Sequence, residues 1–198
     1  MNLVDRAKNI ILTPKTEWPV IASETPNTQQ ILVAYILPLA LIPAIANVIG
    51  WGFIGSIFTS VKWGIAMGLV QFFSVFISIF VASFVIDALA SSFSSTKDSG
   101  RAMQLVAYSY TPSLIGGVFA LIPVIGWLGG LFGLYGLYLM YLGIPHLMKT
   151  PQDKVAVYFI VSLIVIIVVY VVVSLILTSI FVSVLGLEMF KIANSFSQ

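Results

Sequence analysis

The sequence predicts an all-α, polytopic membrane protein: a bundle of five transmembrane helices, preceded by an interfacial amphipathic helix. Two observations support this fold class. Charged residues are missing from four long stretches, 25–61, 63–86, 102–148 and 155–187, and in lipid only helices and closed barrels satisfy their own backbone polar groups. Charged residues make up 8% of the 198 residues, whereas soluble domains carry about 25%.

The N-terminal segment, 1–24, is too short and too polar to span a bilayer. Its apolar residues share one face of a predicted helix: Leu3, Val4, Ala7, Ile10 and Ile11. This pattern is typical of a helix that lies in the membrane interface. Pro14 and Pro19 then flank Trp18, whose side chain suits the level of the lipid headgroups.

The membrane domain is predicted over residues 25–190, with a short tail at 191–198. Thr25 and Pro26 are typical of a helix start, with Thr as the N-cap and Pro at the first helical position. The first span also contains Pro38, and a proline inside a span indicates a kink or backbone carbonyls left free for a neighbour.

The five predicted spans follow from length. A span needs about 20 apolar residues, and the uncharged stretch at 102–148 is too long for one helix at about 1.5 Å per residue. Pro123 is its natural break. The predicted spans are 31–49, 63–89, 103–122, 124–147 and 155–185. A re-entrant pair of segments is the alternative to two full spans within 102–148.

The basic residues predict the orientation. One side carries seven of them: Arg6, Lys8, Lys15, Lys97, Arg101, Lys149 and Lys154. The other side carries only Lys62 and Lys191. Because basic connectors stay in the cytoplasm, we expect a cell (inner) membrane protein with a cytoplasmic N-terminus and an external C-terminus.

Two ionisable residues lie in or beside the spans. Asp87 is the only acid within a span or at its edge, which suggests cation binding or proton relay. The alternative is a position at the cytoplasmic end of the second span, where Asp87 caps a helix or pairs with Lys97 or Arg101. His146 is the only histidine, and one histidine without further ligands makes no zinc site.

The fourth span is rich in small residues that allow close helix packing. These candidate packing or interaction residues are Gly126, Gly129, Gly130, Gly133 and Gly136. A stripe of tyrosines follows the same helix at Tyr135, Tyr138 and Tyr141. Their hydroxyls are expected to bond to carbonyls freed by Pro38, Pro43 or Pro112.

Nothing in the sequence suggests catalysis or a cofactor. The remaining acids lie in connectors or tails, where we expect solvated surface charges: Asp5, Glu17, Glu24, Asp98, Asp153 and Glu188. No nucleophile–base arrangement and no carboxylate pair within a span is visible. There are no cysteines, which excludes disulfides and thiolate metal sites, and the net charge of +2 does not indicate nucleic acid binding.

The stretch YLMYLGIPHLMKTPQDKVAVY, with the upstream segments LVAYSYTPSLIGG and ILTPKTEWPVIASE, resembles the YIP family of Ypt/Rab-interacting membrane proteins. The residues that match its pattern are Pro14, Trp18, Pro38, Pro112, Gly143, Pro145, Pro151 and Lys154. The resemblance, which is to the bacterial or archaeal type of member, implies a YIP-type domain of five helices. It also implies a role in membrane trafficking and binding of small GTPases. Only about thirty residues precede the first span, too few for a folded domain, which counts against GTPase binding here.

Two functions remain open on the sequence. The first is a noncatalytic scaffold or adaptor that binds other membrane proteins or itself, and that organises or shapes the bilayer. The second is a small oligomeric transporter or channel that uses Asp87 and the proline-broken helices. The glycine-rich span and the lack of catalytic pairs favour the scaffold.

Overall fold

The structure is a computed structural model that describes residues 2–54, 61–169 and 171–172. The chain forms two compact units, Met1–Ser162 and Leu163–Gln198. Helices account for 88% of the structure, and no strand occurs among the described residues. The prediction of an all-α fold is therefore confirmed.

The first two helices are α1 (Leu3–Leu12) and α2 (Pro14–Ser23). The side chain of Asn2 caps α1 by accepting a hydrogen bond from the Asp5 amide at 2.8 Å. The buried face of α1 differs from the predicted one: it contains Arg6 together with Ala7 and Ile10, while Val4 is 68% exposed and Leu3 and Ile11 are partly exposed. A charged group on the inner side means that apolar periodicity alone does not describe how α1 packs.

The first candidate span is α3 (Thr28–Ile54), which is longer at both ends than the predicted span 31–49, although its helix begins later than the start predicted at Thr25 and Pro26. Asn27, and not Thr25, is its N-cap, because the Asn27 side chain accepts a hydrogen bond from the Gln30 amide at 2.9 Å. Wider π-helical turns occupy Ile31–Ile36 and end just before Pro38, which has no amide hydrogen for a regular turn.

The second candidate span is α4 (Val61–Phe93), which packs closely against α3. At Gly64, a Cβ atom would lie 2.5 Å from the Val48 carbonyl oxygen, and at Gly68 it would collide with the Val48 side chain. Glycines spaced by four therefore let the two backbones approach. The sequence analysis did not single out this pair.

The predicted third span, 103–122, is not a continuous helix. It is divided into α5 (Ser99–Ser109), α6 (Thr111–Gly116) and tight 3₁₀ turns over Gly117–Leu121. Pro112 lacks an amide hydrogen and also restricts the residue before it, so the helix is interrupted there. The count of five spans is not confirmed, since the described residues contain four helices long and apolar enough to cross a membrane.

The interrupted segment runs alongside α3 from one end to the other. At one end, a Cβ on Gly100 would lie 3.0 Å from the Pro26 side chain. In the middle, the Tyr35 hydroxyl lies 2.7 Å from the Thr111 hydroxyl. At the other end, Gly50 approaches the Ala120 carbonyl. All residues from 102 to 109 are buried, so α5 forms the centre of this unit.

The remaining candidate spans are α7 (Pro123–Leu147) and α8 (Gln152–Val169). The loop before α8 joins the loop after α4, because the Thr96 amide donates to the Met148 carbonyl at 2.7 Å and the Ser95 and Thr150 hydroxyls lie 2.8 Å apart. The rest of the predicted fifth span, 173–185, and the tail 191–198 lie outside the described residues.

Candidate functional site: a buried ion triad and the two sides of α7

A buried ion triad links α1 to α2. One guanidinium nitrogen of Arg6 donates to the Glu17 carboxylate at 2.6 Å, and the other donates to the Glu24 carboxylate. Arg6 and Glu17 are each 5% exposed, whereas the Glu24 side chain is 39% exposed. The prediction of a solvated surface charge is therefore wrong for Glu17, while Glu24 stays partly exposed. The turn at Thr13 folds α2 back so that both carboxylates reach Arg6.

Aromatic rings connect the triad to the membrane domain. The Arg6 guanidinium lies over the Tyr108 ring, 5.4 Å from its centre, at a distance where a cation is attracted to the ring. The Tyr108 and Tyr35 rings meet edge to face with centres 4.9 Å apart, and the Tyr35 hydroxyl bonds to Thr111. The N-terminal helices are thus connected through buried contacts to α3 and α5.

Trp18 also lies inside the junction between the N-terminal helices and the membrane domain, where protein covers it completely. Its side chain is 0% exposed. A Cβ on Gly143 would lie 2.8 Å from the Trp18 ring and 2.5 Å from a Leu105 methyl group. Gly143 therefore gives the indole the space it needs between α2, α5 and α7.

A hydrogen bond from α7 holds the end of α1. The Tyr135 hydroxyl donates to the Ile11 carbonyl at 2.6 Å. The expected partners, carbonyls freed by proline, are therefore wrong for this tyrosine. Tyr138 and Tyr141 are 43% and 39% exposed, so the tyrosine stripe divides between an inner and an outer side.

The predicted glycine face divides in the same way. A Cβ on Gly136 would lie 2.7 Å from the Ser109 carbonyl oxygen, and one on Gly129 would lie 3.1 Å from the Gly116 carbonyl oxygen, so these two let α7 approach α5 and α6. Gly126 meets only its own turn, and Gly133 makes one ordinary contact at 3.7 Å. Gly130 has nothing within 4 Å.

The outer side of α7 is apolar and uncovered. We call it the outer face of α7; its residues are Trp127, Gly130, Leu134, Tyr138 and Tyr141. All five are exposed in this chain, and their spacing of three or four residues puts them on one side of a helix. Because Gly130 has no side chain, it leaves a shallow depression in this face.

Asp87 is not paired as expected. Its Oδ1 atom is buried without a hydrogen-bond partner. Arg101, one of its two expected partners, instead donates to the Ile21 carbonyl at 3.3 Å and to the Gln104 side chain at 3.0 Å. His146 is exposed in the last turn of α7. The described residues contain no group of three or more His, Cys, Asp or Glu side chains that could hold a metal ion.

A family model for the Yip1 domain matches residues 8–176, which is most of the chain and contains both carboxylates of the triad. The chain belongs to the Yip1 domain family. The family and the four apolar helices together make it a multi-pass membrane protein. No curated protein and no solved structure matches it.

The residues that carry the resemblance have structural positions in this Yip1 domain. Pro14 begins α2, and Trp18 packs against Gly143. Lys154 in the first turn of α8 donates to the Ser94 hydroxyl at 2.7 Å. The other matching residues lie within or next to helices and are Pro38, Pro112, Pro145 and Pro151. Trp18 and Gly143 thus join α2 to α7, and Lys154 joins α8 to the loop after α4.

Sequence reasoning missed the triad, although a signal for it exists. Arg6 lies on α1, Glu17 lies on α2 and Glu24 directly follows α2, and the single residue Thr13 separates these two short helices. Because only 8% of the residues are charged, opposite charges on adjacent short helices are a signal that they pair once the turn brings the helices together.

Proposed function

We propose that this Yip1 domain protein is a noncatalytic scaffold or adaptor of the cell membrane, and that it binds another integral membrane protein through the outer face of α7. The observation that carries the proposal is the open position of Gly130 within an exposed helix face. Apolar exposure alone is no argument in lipid, because lipid tails cover apolar side chains equally well. A small residue on the outer surface, however, lets a second helix approach the backbone.

The tyrosines of the same face support this assignment. Tyr138 lies nine residues before Leu147, the last residue of α7, which is a distance of about 14 Å along the helix. Its hydroxyl therefore falls within a hydrocarbon core that is about 30 Å thick. A hydroxyl there is costly without a partner, and a helix docked at Gly130 would supply one.

We also propose a five-span topology in which the interrupted segment 99–121 crosses the membrane. Its contacts extend from Pro26, just before α3, to Gly50, and the helical part between Thr28 and Gly50 has a length of about 33 Å. A segment that runs beside a spanning helix over that distance covers the thickness of the bilayer. This supports two full crossings within 102–148 in place of a re-entrant pair.

The proposed orientation keeps the N-terminus in the cytoplasm and the C-terminus outside. Three parts of the chain that carry basic residues meet at one end of the unit Met1–Ser162: the N-terminal helices, the segment between α4 and α5, and the segment around the start of α8. Arg101 bonds to the end of α2, and Lys154 bonds to Ser94 in the loop after α4. Positive charge gathered at one end is typical of the cytoplasmic side.

Copurification with matched glycine variants tests the function. Complexes are extracted from native membranes in mild detergent, and the proteins that accompany the chain are identified. Gly130→Leu fills the open position and is expected to lose the specific companions, while Gly130→Ala is expected to keep them. Thermal unfolding of both variants checks that the fold is intact. Companions recovered at the same yield with folded Gly130→Leu would contradict docking at this face.

A further inference from the structure

A polar cavity of about 440 Å³ lies next to the ion triad. Its wall is formed by the start of α1, the start of α3 and part of α5, and it includes Arg6, Glu24, Asn27, Tyr35, Gln104 and Tyr108. Pockets that bind small molecules have volumes of about 300–1,000 Å³. The cavity is therefore large enough for a small polar group, and none of its wall belongs to the outer face of α7.

The charges in the wall favour a cation. Arg6 is already engaged by Glu17 and Glu24 and lies over the Tyr108 ring, so its charge is compensated by two carboxylates. Glu24 is the accessible charge, since its side chain is 39% exposed while that of Arg6 is 6% exposed. An anion entering the cavity would meet this carboxylate before it met a free cation.

The other wall groups suit the hydrogen-bond donors of an ammonium group. The side chains of Asn27, Gln30, Tyr35 and Tyr108 line the same space. The Asn27 oxygen already accepts from the Gln30 backbone amide and the Tyr35 hydroxyl is bonded to Thr111, so the neutral acceptors offered to a ligand are the side-chain oxygens of Gln30 and Tyr108. A metal ion fits less well, because no group of three or more His, Cys, Asp or Glu side chains occurs in the described part of the chain. A primary ammonium needs one carboxylate and a few neutral acceptors.

The position of the cavity indicates where such an ammonium comes from. Its wall extends from Glu24 to Tyr35, across the N-terminal end of the first candidate span, Thr28–Ile54. The end of a span lies at the level of the lipid headgroups. Val33 and Val4 directly neighbour the wall residues Ala34 and Leu3 in sequence and are 59% and 68% exposed, so the helical turns that form the wall also carry apolar side chains that an acyl chain can contact.

We propose that this cavity binds a primary ammonium group, supplied by the headgroup of an ethanolamine phospholipid, with the Glu24 carboxylate as the countercharge. A free amine presents the same ammonium group, and binding of soluble glycerophosphoethanolamine distinguishes that source from the lipid. The proposal is independent of protein docking on α7, so either can fail without the other.

Lipid retention on the purified protein tests the site. The protein is reconstituted with equal amounts of phosphatidylethanolamine and phosphatidylcholine, extracted in mild detergent and examined by native mass spectrometry. A primary ammonium donates to a carboxylate where a quaternary one cannot, so we expect about tenfold preference for phosphatidylethanolamine. Equal retention of the two lipids would overturn the proposal.

Three variants keep the test specific. Glu24→Gln removes the countercharge, and Ala34→Phe fills the cavity from its wall while all three triad residues are kept; both should abolish the preference. Asp153→Asn changes an exposed carboxylate elsewhere and should retain it. If folded Ala34→Phe still prefers phosphatidylethanolamine, the cavity is not the site, even if Glu24→Gln fails to fold.

Soluble glycerophosphoethanolamine separates the two sources of the ammonium. If it does not raise the thermal stability of the wild type while phosphatidylethanolamine is retained, the ligand is the lipid. If it raises the stability in the wild type but not in Ala34→Phe, the cavity binds the ammonium group from a free amine as well. Absence of both effects overturns ammonium binding.

Discussion

The Arg6 guanidinium lies 2.6 Å from the Glu17 carboxylate, and both side chains are 6% exposed. This pair fixes two short helices that would otherwise be surface segments ahead of the first span. It also explains why a membrane protein with few charged residues carries an arginine and two glutamates within its N-terminal segment. The N-terminal segment is thus part of the packed core of its unit.

Removing the buried cation should destabilise the fold strongly. Arg6→Met leaves Glu17 buried without a partner, which costs about 3–5 kcal/mol of unfolding free energy. The double variant Arg6→Met with Glu17→Met removes both buried charges and should recover most of that loss. The measurement is chemical unfolding in detergent, with Lys8→Met on the exposed side of α1 as the control. An unchanged stability of Arg6→Met would disprove the structural role of the triad.

A methyl group added at Gly143 should disturb the Trp18 junction. Its Cβ would lie 2.8 Å from the indole ring, and overpacking of this kind costs about 1–3 kcal/mol. Gly133→Ala is the matched control in the same helix, because the nearest atom to its Cβ lies 3.7 Å away. Thermal unfolding should show a loss for Gly143→Ala only. Equal melting temperatures for the two variants would mean that Trp18 does not pack against Gly143 as described.

Loss of the Tyr135 hydroxyl should loosen the end of α1. Tyr135→Phe removes the donor to the Ile11 carbonyl, a bond worth about 1 kcal/mol, so amide exchange near residues 9–13 should rise about fivefold. Tyr138→Phe changes an exposed side chain and should leave this exchange unaltered. Hydrogen–deuterium exchange with mass spectrometry measures both. The hydrogen bond is refuted if the two variants behave alike.

The sequence predicted the helical class and the approximate positions of the apolar helices, because an uncharged apolar stretch of about 20 residues matches the length of a helix that crosses the bilayer. It anticipated an interruption with freed carbonyls at Pro112 but still drew 103–122 as a single span, since hydropathy shows the length of an apolar stretch and not where its helix is divided. It placed Glu17 at the surface, because residue type suggests exposure while burial depends on partners distant in sequence. The inner and outer sides of α7 could be separated only when the contacts of Gly130 and Gly136 were known.

Photo-crosslinking in native membranes tests the central claim, that the outer face of α7 binds another membrane protein. A photoreactive residue replaces Leu134 on that face and, as the control, Phe84 on α4, which is 73% exposed. We expect a discrete protein adduct from position 134 that disappears when Gly130→Leu is added, and no such adduct from position 84. No protein adduct at 134, or the same adducts from both positions, would contradict the claim.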